Sequence, residues 1–505
     1  MKNMRMMNTP EDYKALGVNP NRVEAWEDGR RNTDELGRIE WWYFDADMED
    51  GTKVGVNFAT NPPFRPDEAG YHPFVYYNIQ FPDGSVETDA RFYDASECSF
   101  GAGNCDVRCG VNVFRGDLSC YELHVEHEEK GISIDLTLES TVTPWRPGTA
   151  YMGKDDGNFF TWLCAVPRGS VSGSITCGGK RVPVQGVGYH DHQWGTSENY
   201  QFWNRWFWGR QQTGEYTVLL FDLVSARDTD HVQFPLFCVQ DGKGNVLIDN
   251  VVRTDDVAIT VEGTRPQQGS GKLLPDVSRY CFKQGDMEAV YTLKSGEEFV
   301  YTNHYDLTPE EIKVYYDELG VYPTFSRFRA NGHLVLKRGG DVIADFSGDM
   351  HYEISSLWAN YVLDAADCEA IQAADPVEES RKLRERAALA AAQREQTPID
   401  GLGAPDPELA GVYDAVIATP MGKQRGQLIF QVEGTVLTGT MDFMGRTYRV
   451  ENGIATAEGF SYEINAKVML RKMHAVVRGR RTGDAVEGTL TAPMGSIAIT
   501  GTRRK

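Results

Sequence analysis

One carboxylic acid stands between two imidazoles in Gly186-Val-Gly-Tyr-His-Asp-His-Gln-Trp-Gly195, and Phe202-Trp-Asn-Arg-Trp-Phe-Trp-Gly-Arg210 follows directly. The chain has ten Trp, and four of them (Trp194, Trp203, Trp206 and Trp208) crowd into this stretch. Proton-transfer groups set among aromatic rings suit an apolar, electron-rich small molecule. A second island, Glu40-Trp-Trp-Tyr-Phe-Asp45, mixes carboxylates and rings in the same way. Side chains alternate faces along a strand. His190, His192 and Trp194 would then share one face, with Tyr189, Asp191 and Gln193 on the other. Glu40, Trp42 and Phe44 would likewise oppose Trp41, Tyr43 and Asp45.

Three chemistries compete for these residues. The first is acid–base catalysis by Asp191, or by His190 or His192, with Glu40 as the group to test in the second island. Burial raises a carboxyl pKa and keeps the acid able to donate near neutrality. Trp194, Trp203, Trp206 and Trp208 could then stabilise a carbocation, each ring contributing about 0.5–2 kcal/mol. Trp42, Tyr43, Tyr189 and Arg205 would complete the substrate-binding wall. The second is metal binding, since His190-x-His192 with Glu198 loosely resembles a cupin site. The carboxylate is displaced and no third His follows in the cupin setting, so no metal is expected. The third is packing alone, with His, Asp and the indoles satisfying one another's hydrogen bonds. Arg205 or Arg210 paired with Asp191 or Glu40 would lower a carboxyl pKa and oppose the acid role. Asp155 and Asp156 read as loop residues. The chain has no Gly-x-Gly-x-x-Gly fingerprint, P-loop or Gly-x-Ser-x-Gly elbow, so neither a nucleotide cofactor nor serine hydrolysis is expected.

The elements that must position these groups are strands. From about Arg38 to Leu363, short runs rich in Val, Tyr, Phe, Thr and Ile recur between Gly, Asp and Asn turns, as at Ile132–Leu138 and Tyr216–Asp222. Pro82-Asp-Gly84 and Asp241–Asn245 read as hairpin turns. This pattern predicts an all-β protein with two antiparallel barrels or sandwiches in tandem. A short helix is expected from Thr308 and Pro309. Ala365–Gln396 is rich in Ala, Glu and Arg and reads as helix, and Thr397–Glu408 reads as a linker. Leu409–Lys505 returns to β, with an internal echo at Thr419-Pro-Met-Gly422 and Ala492-Pro-Met-Gly495. The expected divisions are a lead segment 1–34, β domains 35–190 and 191–364, a helix and linker 365–404, and a small accessory β-barrel or sandwich 405–505.

The net charge is −22, yet residues 401–505 carry 13 Lys+Arg against 10 Asp+Glu. The rest is therefore strongly acidic, which argues against nucleic acid and anionic membrane surfaces as partners. No apolar run is long enough to span a bilayer. The beginning of the chain shows no signal-peptide pattern, so a cytoplasmic protein without membrane insertion is expected. The nine Cys are odd in number and scattered, unlike a disulfide framework. Cys105 and Cys109 would form half a zinc site, but Cys98 and Cys120 make no second close pair. Buried small hydrophobes are the better reading.

Glu40-Trp-Trp-Tyr, the Tyr-His-Asp-His-x-Trp-Gly element at 189–195 and the Trp-x-Trp strand after it resemble the hydroxyneurosporene synthase (carotenoid 1,2-hydratase) family. That family is lipocalin-like and includes fungal hydratases and cofactor-free Diels–Alderases. The resemblance covers roughly residues 35–365. It implies two lipocalin-like barrels around an apolar cavity, no cofactor, and Asp191 as the acid, with His190, His192 and Trp194 shaping the site. The function expected is a cofactor-independent hydratase, dehydratase or isomerase for a terpenoid, polyketide or phenolic alkene. The alternatives are a pericyclase, which would act by holding reacting carbons together, and a binding protein for apolar ligands. A homo-oligomer is compatible with the sequence.

Overall fold

The computed structural model describes residues 3–62, 69–82, 85–196, 198–267, 269–395, 404–419, 422–443, 445–457, 459–468, 471–492 and 495–504. Asp83 and Gly84 of the expected turn, most of the linker, and the Pro-Met pairs at 420–421 and 493–494 lie outside them.

The all-β expectation is borne out. Three antiparallel sheets account for most of the chain. In the first, the strand Ile39–Met48 pairs with Lys53–Ala59 on one side and with Lys180–Gly195 on the other. The sheet continues through Leu163–Cys177 and Ile132–Ser140 to the short edge strands Cys105–Cys109 and Cys98–Phe100. Lys180–Gly195 stays wholly in this sheet, so the passage to the second sheet follows Gly195. The second sheet has nine strands, with Trp203–Thr213 held between Tyr216–Ser225 and Asp341–Trp358. Among the described residues, neither large sheet closes on itself by edge pairing. The third sheet does close, because Gly422–Glu433 pairs with both Gly411–Thr419 and Val436–Phe443. The small C-terminal domain is thus a barrel, filled by side chains such as Phe430, Phe460 and Tyr462.

The hydrophobic effect sorts the two faces of each curled sheet. Trp42, Phe44, Phe114 and Tyr121 fill the first sheet's own core. Phe207, Tyr280, Tyr291 and Tyr352 fill the second's. A further core lies between the sheets, where Trp162 and Tyr189 of the first meet Trp208 and Phe221 of the second. Cys105, Val107 and Cys109 point inward together, as their alternation requires. Glu310–Leu319 forms a helix ended by Gly320 at φ 80°, and Pro376–Glu395 forms the Ala- and Glu-rich helix. Among the described residues, no helix is long and apolar enough to cross a membrane.

Candidate active site

The pleat of Lys180–Gly195 sends the two chemical sets of the sequence motif to opposite sides of the first sheet. In register, His190 lies opposite Phe44, Asp191 opposite Tyr43 and His192 opposite Trp42.

Tyr189 and Asp191 face the seam between the sheets. Asp191 is 1% exposed. Its Oδ2 accepts from the Tyr189 hydroxyl at 2.7 Å and from the Trp162 indole at 3.1 Å. Gln193 Nε2 is 3.3 Å from Oδ1, the less engaged oxygen. Burial pushes the carboxyl up to about 6, against the opposing pull of the Tyr189, Trp162 and Gln193 donors. The Tyr189 phenol, raised well above its ordinary range by burial and by Asp191, stays a neutral donor. Cys164 Sγ lies 3.2 Å from the same phenol.

The arginines go elsewhere. Arg205 is fully buried, pairs with Asp222 at 3.0 Å and donates to the Val362 carbonyl. Arg210 pairs with Asp45, and with Asp47 at 3.1 Å. Among the described residues, neither has Asp191 or Glu40 as its ion-pair partner. The cationic pairing that would have suppressed a high carboxyl pKa is therefore not made.

His190, His192, Trp42 and Glu40 lie on the other face, in or beside the first sheet's core. What organises them is Asp28, which the sequence reading assigned no role. The 3₁₀ helix Ala25–Asp28 dips into the core, and its carboxylate accepts from Tyr121 at 2.5 Å and meets His190 Nε2 at 3.1 Å. The Trp42 indole donates to the Asp28 carbonyl at 2.9 Å. Burial opposes charge on His190, but the Asp28 carboxylate outweighs it and the imidazole pKa is raised. His192 Nε2 lies 2.9 Å from Glu40 Oε1, and its ring stacks on Trp42 at 4.6 Å. Glu40 also accepts from the Arg31 and Asn32 amides at 2.6 and 3.0 Å. The chain can enter here only because residue 29 is Gly, since a Cβ would sit 2.6 Å from the Ala102 carbonyl. The one sequence signal for Asp28 is the acid–aromatic run Trp26-Glu-Asp28, the same mixture as the Glu40 island.

Of the other aromatics, Trp208 meets Tyr189 at 5.4 Å and Tyr43 at 6.3 Å in the seam. Trp203 is fully buried against Phe160 and Phe234. Trp194 packs on His192 at 4.6 Å and donates to the Tyr151 hydroxyl. Trp41, Tyr43, Gln193 and Trp206 are half-buried. Facing Tyr43 from the second sheet is Arg327, 3.4 Å from the phenol and paired with Glu353 at 2.7 Å. Two clefts open at the margins of the seam. One, of about 710 Å³, is lined by Met4, Met6 and Phe234. The other, of about 420 Å³, is lined by Lys154, Tyr200 and Trp358. Asp191 lines neither of these two clefts.

The arrangement is a carboxyl, raised in pKa by burial, held between two aromatic-faced β-sheets. Residues 118–261 match the Diels-Alderase-like family model. The chain is 27% identical over 228 residues to hydroxyneurosporene dehydrogenase of Chlorobaculum tepidum, covering 37% of this chain and 56% of that protein. It is 25% identical over 226 residues to a quinolone epoxide rearrangement protein of Penicillium thymicola, covering 40% and 59%. The chain thus spans less than two thirds of the length of these curated relatives. Among solved structures, AttH of Nitrosomonas europaea superposes with a TM-score of 0.45 at 16% identity, over 68% of this chain and 99% of that one. Kievitone hydratase of Nectria haematococca gives 0.41 at 12% identity, over 71% and 97%. The resemblance read from the Glu40 and Tyr189–Gly195 motifs is borne out by the family match and the two sequence relatives.

Proposed function

We propose that this protein is a cofactor-independent hydratase, dehydratase or isomerase for a hydrophobic unsaturated small molecule, with Asp191 as its acid. The observation that carries the reading is the Asp191 carboxyl, buried in an aromatic seam and held by Tyr189 and Trp162, where burial pushes its pKa up to about 6. Near neutrality a useful fraction of such an acid is protonated while its base form remains reachable. In the hydration direction, the proton on Asp191 passes to one alkene carbon. The neighbouring carbon becomes cationic beside the faces of Tyr43, Tyr189 and Trp208. Water adds its oxygen to that carbon and returns a proton to the Asp191 carboxylate. Dehydration is the reverse, and loss of a proton from a different carbon gives isomerisation. Tyr189 and Trp162 orient the acid and stabilise its base form. His190, His192 and Glu40 act from the far face as positioning residues that hold the motif strand against Asp28. Trp41, Tyr43 and Trp206 offer substrate-facing surface, and Trp42, Trp194, Trp203 and Arg205 support it from behind.

A pericyclase is the second reading, favoured by the Diels-Alderase-like match over residues 118–261. In it the seam would act by holding reacting carbons close, an entropy effect. Incubation with terpenoid, polyene and phenolic alkenes in oxygen-18 water, read by mass spectrometry, separates the readings. Gain of one labelled water establishes hydration. Unchanged mass with a shifted retention time establishes isomerisation or cyclisation. Substrate recovered bound and unaltered would contradict catalysis and leave a ligand carrier.

A further inference from the structure

The nine thiols are free, and two of them face each other across neighbouring strands. Cys98 opens the edge strand Cys98–Phe100, and Cys109 ends Cys105–Cys109. They are direct register partners. The Gly110 amide donates to the Glu97 carbonyl at 3.0 Å, and the Gly101 amide donates to the Asp106 carbonyl at 2.8 Å. Bonded pairs alternate along an antiparallel ladder, so Cys98 and Cys109 occupy a non-hydrogen-bonded site. Cα atoms at such sites are about 4.5 Å apart, inside the roughly 4.4–6.8 Å that a disulfide spans. The neighbouring Cys109 thiol lowers the pKa of Cys98, whereas Cys98 and burial raise that of Cys109. Cys109 is buried and Cys98 is half-buried, so an oxidant in solution reaches Cys98 first.

The hairpin carrying this pair supports the Asp28 segment. Its Gly101 carbonyl accepts from the Arg30 amide at 2.7 Å, and its Ala102 carbonyl accepts from the Arg31 guanidinium at 2.5 Å. Phe100 stacks on Trp42 at 5.8 Å, and Trp42 stacks on His192.

We propose that Cys98 and Cys109 form a reversible cross-strand disulfide, an oxidative modification site on the hairpin that braces Asp28. With a small disulfide such as oxidised glutathione as oxidant, the Cys98 thiolate attacks one sulfur and releases one glutathione thiolate. Cys109 then loses its proton and attacks the Cys98 sulfur, forming the protein disulfide and releasing the second glutathione. Two protein thiols are oxidised and one glutathione disulfide is reduced to two thiols. Cys105 has the Phe114 carbonyl, not a thiol, as its hydrogen-bond partner, at 3.5 Å.

The test uses the full chain equilibrated across glutathione redox buffers, alkylated and mapped by mass spectrometry. Cys98 and Cys105 share a tryptic peptide, so fragmentation must assign the linked sulfur. The expected result is a Cys98–Cys109 cross-link, lighter by about 2 Da than the two thiol peptides together. Hydrogen exchange at the hairpin amides should slow with it. In Cys109→Ser, Cys98 should instead retain a glutathione adduct. If that variant fails to fold, the wild-type map decides alone. Recovery of both residues as free thiols in the most oxidising buffer would overturn the proposal. So would a link made through Cys105, or glutathione on wild-type Cys98 with no internal bond. The proposal is independent of the catalytic reading.

Discussion

Replacing Asp191 by Asn tests the buried acid without any knowledge of the substrate. The amide is isosteric, and its oxygen can take the place of Oδ2, accepting from Tyr189 and Trp162 as the carboxylate does. The group that titrates is gone. Burial raises the folded-state pKa to about 6, from an ordinary value of 3.8. The native state therefore holds this proton more tightly than the unfolded chain. The stability it contributes is complete below the unfolded value and is lost as pH rises through about 6. The whole difference is about 3 kcal/mol, at about 1.4 kcal/mol per unit. Linkage places about 1.4 kcal/mol of it between pH 5 and pH 8. Urea unfolding of wild type and Asp191→Asn, followed by Trp fluorescence at both pH values, measures this directly. Other carboxylates titrate in both proteins and cancel in the difference. Relative to wild type, the variant should gain about 1.4 kcal/mol on going from pH 5 to pH 8. A difference that does not change with pH would mean that Asp191 titrates as an exposed carboxylate, and the acid role would lose its physical basis.

Other perturbations follow from the same contacts. Tyr189→Phe removes the strongest donor to the Asp191 carboxylate, worth about 1.5–3 kcal/mol. It should move the alkaline limb of the pH–rate profile upward by about one to two units. Asp28→Ala leaves His190 and Tyr121 without their shared acceptor, and each buried group so stranded costs about 1–3 kcal/mol in urea unfolding. Arg205→Met leaves Asp222 buried without its cation and should cost about 3–5 kcal/mol by the same measurement. If Arg205→Met is instead neutral in stability but weakens substrate binding, Arg205 contacts ligand rather than Asp222.

The part of the site that follows a strand's own period was legible in the sequence. Alternation alone separated Tyr189, Asp191 and Gln193 from His190 and His192, and Trp41 and Tyr43 from Trp42 and Phe44, because a two-residue period survives any twist of the sheet. Aromatic density marked the Trp203–Trp208 strand. What escaped depends on contacts between distant segments. Asp28 lies in a short 3₁₀ helix with no amphipathic period, and its role comes from its approach to Tyr121 and His190, 93 and 162 residues away. Trp162 sits outside both motif islands and meets Asp191 only across neighbouring strands. Arg205 and Arg210 looked available to Asp191, but the second sheet supplies Asp222 to one, and the strand Ile39–Met48 supplies Asp45 to the other. Strand patterns also do not state whether a sheet closes. Edge pairing closes only the C-terminal barrel among the described residues, a matter of strand number, stagger and tilt.

The central claim is that Asp191 donates the proton in turnover. Once an unsaturated substrate has been found in the oxygen-18 panel, kcat/KM measured against pH for wild type and Asp191→Asn tests it most directly. A wild-type plateau below about pH 6 and a tenfold fall per unit above it are expected, because only the protonated acid reacts. Asp191→Asn should keep substrate binding and lose turnover by about a thousandfold. Full turnover in Asp191→Asn, or a wild-type rate that rises through pH 6, would contradict the account.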